Sequence, residues 1–214
     1  MDVLILAAGF GSRMGELTEK IPKPLLRVNQ KPLISYALDL VQQISFETIY
    51  VNTHYQAETL QKFLVEHYPK VEISHEKKIL GTGGGIKKIQ NKDLCVLNTD
   101  NLWQDKFKLE IQKAMIFFKN NINIENLLMV SSNDTFSDLE ISKEAKINFP
   151  SIRNNTQFQG CHILRNKVLE TYPDMFNITD YWKDCSQRKK LFGFETPMIN
   201  THIGNKELYL KYQN

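Results

Sequence analysis

The sequence predicts an α/β fold: a doubly wound, mostly parallel sheet forming a single domain over residues 1–214. Two observations lead there. Short apolar or β-branched runs alternate with stretches of helical period over more than half of the chain, and glycine or polar residues follow the runs at Gly9, Asn52 and Asp100. In a sheet wound this way, ligands sit beyond the carboxyl ends of the strands. Length is a third guide, since 214 residues suffice for one substantial core and are short for two.

Taken in order, Val3 to Leu6 is an apolar run entering a glycine turn and reads as a buried first strand. Pro32 to Ile44 carries apolar residues at 33, 34, 37, 38, 41 and 44 behind a leading proline, which is a helix period with proline at its start. Thr48 to Val51 is β-branched and aromatic, a strand with Asn52-Thr53-His54 at its end. Ala57 to Tyr68 returns to helix, with Leu60, Phe63, Leu64 and His67 along one side, and Val71 to Ser74 to strand. The cluster Gly81-Thr82-Gly83-Gly84-Gly85 opens into Ile86 to Gln90. Leu94 to Leu97 is a buried strand stopping at Asn98-Thr99-Asp100, residues 107–119 form a helix, and Leu127 to Val130 another strand. From Ser131 to Thr156 the pattern weakens into a polar stretch with short strands at 139–141 and 145–149, expected as a surface excursion or a hairpin over the site. Phe158 to Leu164 reads as a strand, and Lys167 to Tyr172, Ile178 to Arg188 and Lys206 to Tyr212 as helices.

The chemistry concentrates in the first turn. Gly9 and Gly11 allow positive φ and a close approach of ligand to main chain. Successive backbone N–H groups in such a loop make a concave anion site, to which Arg13 and Lys23 add full charges. A polyphosphate suits it. The dinucleotide fingerprint needs glycine where Met14 stands, and Walker A needs Gly-Lys-Ser/Thr; neither is present. The glycine loop, Asn52, His54, Gly81 to Gly85 and Asp100 all fall at one expected sheet edge, with local turn hydrogen bonding the alternative role for Asn52 and His54, and strand-end capping for Asp100.

Composition excludes several classes. Hydrophobic content of 42% and charged content of 24% are ordinary for a globular protein, and a net charge of +3 spread along the chain gives no nucleic-acid footprint. Cys95, Cys161 and Cys185 are odd in number, widely spaced and without CxxC, so buried free thiols are expected instead of a disulfide framework or zinc site. No apolar run reaches the roughly 18 residues of a membrane helix, and Asp2 stands where a basic leader would begin, so a cytoplasmic location without membrane association is expected.

Several stretches together resemble the sugar-1-phosphate nucleotidylyltransferases, and within them the N-acetylmuramate-1-phosphate uridylyltransferases. They are Leu6-Ala7-Ala8-Gly9-x-Gly11-Ser12-Arg13-Met14, Pro22-Lys23-Pro24-Leu25, Val51-Asn52-x-His54-Tyr55, Thr82-Gly83-Gly84-Gly85, Leu97-Asn98-x-Asp100 with Trp103, Phe176-Asn177 ahead of Trp182, and Ile203-Gly204. The resemblance implies a Rossmann-like nucleotide-diphospho-sugar transferase fold and transfer of a nucleoside monophosphate from an NTP, UTP first, to a sugar-1-phosphate, with pyrophosphate leaving. N-acetylmuramate or N-acetylglucosamine 1-phosphate is the implied acceptor and cell-wall recycling the setting. A phosphate monoester has its second pKa near 6, so it needs no general base at neutral pH, and catalysis reduces to alignment and charge stabilisation.

By position, the resemblance gives Leu6, Ala7, Ala8, Gly9, Gly11, Ser12 and Arg13 to the nucleotide, with Arg13 and Lys23 catalytic. Asn52, Thr82, Gly83 and Gly84 join the nucleotide site, the last three lying against base and ribose. Asp100 binds Mg²⁺, with Mn²⁺ an alternative. A second metal-binding aspartate, usual two residues before the glycine at 204, is His202 here. Imidazole suits Mn²⁺ or other transition metals better than Mg²⁺. His202 therefore ligates a softer metal, contacts phosphate while Asp100 alone anchors Mg²⁺, or marks lost activity. Asn200 replaces a usual tryptophan, and Gly81 stands where an acidic residue often precedes TGGG. Transfer of another base to another sugar or alcohol phosphate, and a silent nucleotide-binding regulatory role, are the alternatives. A monomer and a dimer are both compatible with the sequence.

Overall fold

The computed structural model describes residues 1–132 and 136–213. The chain runs β1 (Asp2–Leu6), two short 3-10 turns (Ser12–Thr18 and Lys23–Leu25), β2 (Arg27–Val28), β3 (Lys31–Pro32), α1 (Leu33–Val41), β4 (Ile49–Thr53), α2 (Ala57–His67), β5 (Glu72–His75) and α3 (Gly81–Ile89). It continues through β6 (Leu94–Asn98), α4 (Phe107–Asn120), β7 (Asn126–Ser131), β8 (Glu140–Ile141), β9 (Ile147–Asn148), β10 (Gln157–Leu164), α5 (Ile178–Gln187), β11 (Leu191–Glu195) and α6 (Lys206–Tyr212). Seven strands form the main sheet in the order β11-β7-β10-β6-β1-β4-β5. β1 pairs in parallel with β4 and β6, β4 with β5, and β11 with β7, while β10 runs antiparallel between β6 and β7. The mostly parallel α/β sheet expected from the sequence is the fold observed.

Strand alternation builds the layers. Val3 and Ile5 of β1, Cys95 and Leu97 of β6, and Leu127 and Met129 of β7 share one core with residues of α1, α2 and α4. Leu4, Val96, Leu128 and Val130, each one register away, share the opposite core with Ile86 of α3 and Ile178, Tyr181 and Trp182 of α5. That is the period-2 consequence of strands buried on both faces. A third, smaller cluster of Met14, Leu26, Val28, Leu33, Leu102, Ile203 and Tyr209 fastens the segment after β1 to the C-terminal segment.

Four readings need correction or completion. Lys167 to Tyr172 is a series of turns, not a helix: Lys167 has φ +64°, and Glu170 and Tyr172 donate backbone bonds to Lys167 and Leu169. The helix after the glycine cluster begins at Gly81 itself, so the glycines lie inside α3. β11 was not foreseen, because Gly193 interrupts its apolar run; there Ile141 and Ile147 side chains occupy the space a Cβ would need. The β8–β9 hairpin does not cover the ligand edge. It packs on β11 through Lys146 and Phe192 and on α5 through Ser186, whose Oγ donates to Ile147 O at 2.9 Å. The polar stretch assigned to Ser131–Thr156 also includes residues 133–135, outside those described.

Cys95, Cys161 and Cys185 are buried and free. His162 of β10 is buried beside the Trp182 and Phe158 rings, and its Nδ1 accepts from Asn126 Nδ2 at 3.2 Å. Burial pushes its pKa from 6.5 down to about 3. Between those values the unfolded chain binds a proton that the native one refuses, so stability falls as pH falls through this window, by up to about 1.4 kcal/mol per unit. Urea midpoints measured from pH 7 to 4 should show that slope in the native protein and lose it in His162→Gln.

Candidate active site

The carboxyl ends of the parallel strands β1, β4 and β6 open onto one cleft of about 460 Å³. Its first wall is the turn after β1. Leu6, Ala7, Ala8, Gly9, Phe10, Gly11, Ser12 and Arg13 all line it. The turn reverses through Gly11, whose φ of +67° would strain any side chain, and an added Cβ would also lie 3.0 Å from Lys23 Cβ. Hydrogen bonds then fasten the turn: Met14 N donates to Gly11 O at 2.8 Å, and the side-chain Tyr55 Oη and Gln56 Nε2 donate to Thr18 O at 3.0 and 2.8 Å.

The charged floor lies where β6 ends. Lys23 Nζ meets Asp100 Oδ2 at 2.9 Å, and both side chains are mostly buried. Asp100 is set by its neighbours: Thr99 Oγ1 donates to Leu6 O at 2.8 Å, Trp103 Nε1 to Asn98 O at 2.9 Å, and Ile203 N to Asp100 O at 2.6 Å. The last contact brings in the C-terminal segment, which bridges Asn101 to His202.

His202 Nδ1 lies 3.1 Å from Asn101 Oδ1 and 3.4 Å from Asp100 Oδ1. Asn101 Nδ2 donates to Gln159 O at 2.8 Å, which orients the amide and leaves its oxygen facing the imidazole. The Nδ1 proton is assigned by that acceptor. Burial holds the imidazole below the ordinary histidine range; Asp100 opposes this, and Lys23 and Arg13 reinforce it. A neutral ring with hydrogen on Nδ1 turns a donor toward Asn101 and Asp100 and keeps its lone pair on Nε2. Its Nε2 faces Gly204, where a Cβ would collide with the ring.

The remaining candidates divide. Asn52 and Thr82 line the cleft beside Gly81 and Ile79. Asn52 Oδ1 accepts from Ala7 N at 2.7 Å, so that N–H is not open to a ligand. His54 Nδ1 bonds Glu76 O at 2.8 Å, and Thr82 Oγ1 accepts from Ile178 N at 3.0 Å. Gly83 and Gly84 do not line the cleft. A Cβ on Gly83 would enter the Phe176 ring and one on Gly84 would strike Asp174 O, so their smallness serves the packing of α3 on the turn before α5. Sequence reasoning did not assign Phe10 to the site, and it quoted Asn177 without giving it a place there. Phe10 is about half exposed at the rim, edge-on to His54 and Tyr55 with both centroids at 5.6 Å; an aromatic between two loop glycines was the available signal. Asn177 lines the cleft and caps α5 through a capping box with Asp180.

Among the described residues no group of three His, Cys, Asp or Glu is arranged to hold a metal, and no helix is long and apolar enough to cross a membrane. Among the described residues the carboxyl that lines the cleft is that of Asp100, with the His202 imidazole beside it. That fits a hard cation taking most of its ligands from phosphate oxygens and water.

Residues 3–101 match the MobA-like NTP transferase domain. The chain is 26% identical over 225 residues to the N-acetylmuramate alpha-1-phosphate uridylyltransferase of Caulobacter vibrioides, covering 97% of this chain and 93% of that protein. It is 27% identical over 222 residues to the bifunctional protein GlmU of Methanococcus maripaludis strain S2, covering 96% of this chain and spanning about half (52%) of that relative's length. Among solved structures, HddC from Yersinia pseudotuberculosis complexed with GMP-PN is similar with a TM-score of 0.77 and 25% identity, covering 99% of this chain and 97% of that one.

The two explanations for the glycine run separate experimentally. Gly83→Ala should lower the urea unfolding free energy by about 1–2 kcal/mol, overpacking against Phe176 exceeding the helix-propensity gain. Unchanged stability with lost nucleotide affinity would return Gly83 to the ligand.

Proposed function

We propose, on the premise that this chain is a nucleotidyltransferase of the sugar-1-phosphate class carrying a MobA-like NTP transferase domain over residues 3–101, that it transfers UMP from UTP to an N-acetylated sugar-1-phosphate. N-acetylmuramate or N-acetylglucosamine 1-phosphate is the acceptor, and residues 1–214 act as one catalytic unit. The observation that carries the reading is the opposition of Lys23 and Asp100 at the floor of a cleft walled by the glycine turn. What supports the choice of base and sugar is the end-to-end likeness to the Caulobacter uridylyltransferase.

In this mechanism an oxygen of the sugar phosphate attacks the α-phosphorus of the NTP. The new P–O bond forms as the bond from the α-phosphorus to the bridging oxygen breaks, and pyrophosphate leaves with that electron pair. Backbone N–H groups between Gly9 and Arg13 cradle the triphosphate, and Arg13 meets the charge growing on the leaving pyrophosphate. Lys23 orients the α-phosphate and incoming monoester, which is already anionic and needs no base. Asp100 would hold Mg²⁺, which when bound neutralises phosphate charge. His202 keeps its Nδ1–H toward Asn101 and Asp100, holding the carboxyl in place.

Pyrophosphate release, measured with UTP, CTP, GTP, ATP and dTTP against a panel of sugar-1-phosphates under Mg²⁺ or Mn²⁺, tests the assignment. UTP with an N-acetylated sugar-1-phosphate under Mg²⁺ is the expected pair, and preference for another base or acceptor reassigns the substrate. Lys23→Ala and Asp100→Ala should each lower kcat by about a hundredfold or more, the scale of losing one charge-stabilising group. Near-normal turnover in either variant would overturn the mechanism.

A further inference from the structure

Behind the cleft, Glu76 is 1% exposed and Asn52 3% exposed. Glu76 accepts two hydrogen bonds from neutral N–H donors: Asn52 Nδ2 reaches Oε1 at 2.8 Å, and Leu80 N reaches Oε2 at 3.0 Å. Asn52 in turn accepts from Ala7 N at 2.7 Å. Leu80 is the residue from which α3 starts, one before Gly81. A single carboxyl group therefore ties both sides of the cleft: Ala7 and the turn after β1 through Asn52, and the Ile79–Thr82 side directly.

The geometry points to Glu76 as the positioning residue that sets the separation of these two sides, and hence the fit of the nucleoside triphosphate. This rests on the reading of the cleft as an NTP site. Three features support it. The backbone of Glu76 is itself held, its N–H donating to Thr53 O at 2.8 Å and its carbonyl bonded to His54 Nδ1 at 2.8 Å. Space is reserved for the bridge, since a Cβ at Gly85 would lie 2.7 Å from Glu76 Oε1 and 2.9 Å from Asn52 Nδ2. The polarity of the chain is also fixed. Ala7 N and Leu80 N can only donate, so the residue at 52 must accept from one side and donate to the other, and the residue at 76 must accept twice. Glutamine at 76 meets one of those demands and turns an amide donor against the other, leaving a buried group unpaired.

Titration calorimetry with UTP, GTP, CTP and dTTP, each with Mg²⁺, would be run on the full chain and its variants. Steady-state kinetics and thermal unfolding accompany it. Glu76→Gln should weaken binding of the cognate triphosphate by about tenfold or more, while KM for the sugar-1-phosphate moves by less than about threefold. The reciprocal exchange Asn52→Asp with Glu76→Gln restores every donor–acceptor match, because the introduced amide donates to the introduced carboxyl and still accepts from Leu80. It should recover at least about threefold of the lost affinity. Gly85→Ala, which crowds the bridge without touching its polarity, should also weaken triphosphate binding. Wild-type affinity in Glu76→Gln would overturn the inference, as would an exchange no better than the single variant or equal losses for both substrates. If the native chain binds a triphosphate but turns over with no acceptor, the transferase reading fails while the binding comparison still decides the role of Glu76. A native chain that binds none of the four overturns both.

Discussion

The ion pair between Lys23 and Asp100 joins the segment after the first strand to the end of β6, across 77 residues of sequence. Its side chains are 12% and 18% exposed, far enough from water that desolvation offsets much of the attraction. As a stabilising device such a pair is weak. In the proposed mechanism it is a store of two opposite charges at the floor of the cleft, because an incoming polyphosphate and its cation would offer each partner a replacement. The surrounding structure holds the two charges at that spot: Thr99, Trp103 and Ile203 fix Asp100, while Lys23 opens a 3-10 turn closed by Leu25 N to Pro22 O and Leu26 N to Lys23 O, with Leu26 in the third cluster.

Parallel pairing explains why the charges and the glycine turn coincide. β4, β1 and β6 run side by side in one direction, so Asn52, Leu6 and Asn98 end at one edge. The antiparallel strand β10 then brings Gln159 and Gly160 beside Asn101, where a Cβ on Gly160 would collide with the amide. The C-terminal segment docks on this surface through Leu102 N to Thr201 O at 2.9 Å and Asn200 N to Gln159 Oε1 at 2.7 Å. The site is assembled from the beginning, middle and end of the chain.

Much of this was legible in the sequence for physical reasons. Strands buried on both faces are continuous apolar runs, and Val3–Leu6, Leu94–Leu97 and Leu127–Val130 could hardly be anything else. The turn chemistry was legible at Gly11, whose φ of +67° favours glycine, and at Arg13 and Lys23 through their charge; Gly9, expected to share the positive φ, does not have it, and the space where its Cβ would stand is open. Other features leave ambiguous marks. Glycine at 83 and 84 signals close approach without saying of what, and the approaching group is protein. Val168, Leu169 and Tyr172 share the spacing of a helix face, yet the positive φ at Lys167 and the proline at 173 allow only turns. Glu76 sits in His75-Glu76-Lys77-Lys78, which reads as a solvated charge cluster; its burial depends on Asn52 and Leu80, partners that spacing alone does not reveal.

His202 shows the same dependence on partners. A side chain there is judged by what faces it, and what faces it is an acceptor: Asn101 Oδ1, held in that orientation by the bond from Asn101 Nδ2 to Gln159 O. Imidazole meets the acceptor with Nδ1–H. A carboxyl at 202 would set oxygen against oxygen beside Asp100, so three acceptors would converge, with Lys23 and Arg13 the positive charges facing them. Gly204 has already given up its side chain to the ring. The histidine is therefore one member of a matched set with Asn101, Gln159 and Gly204.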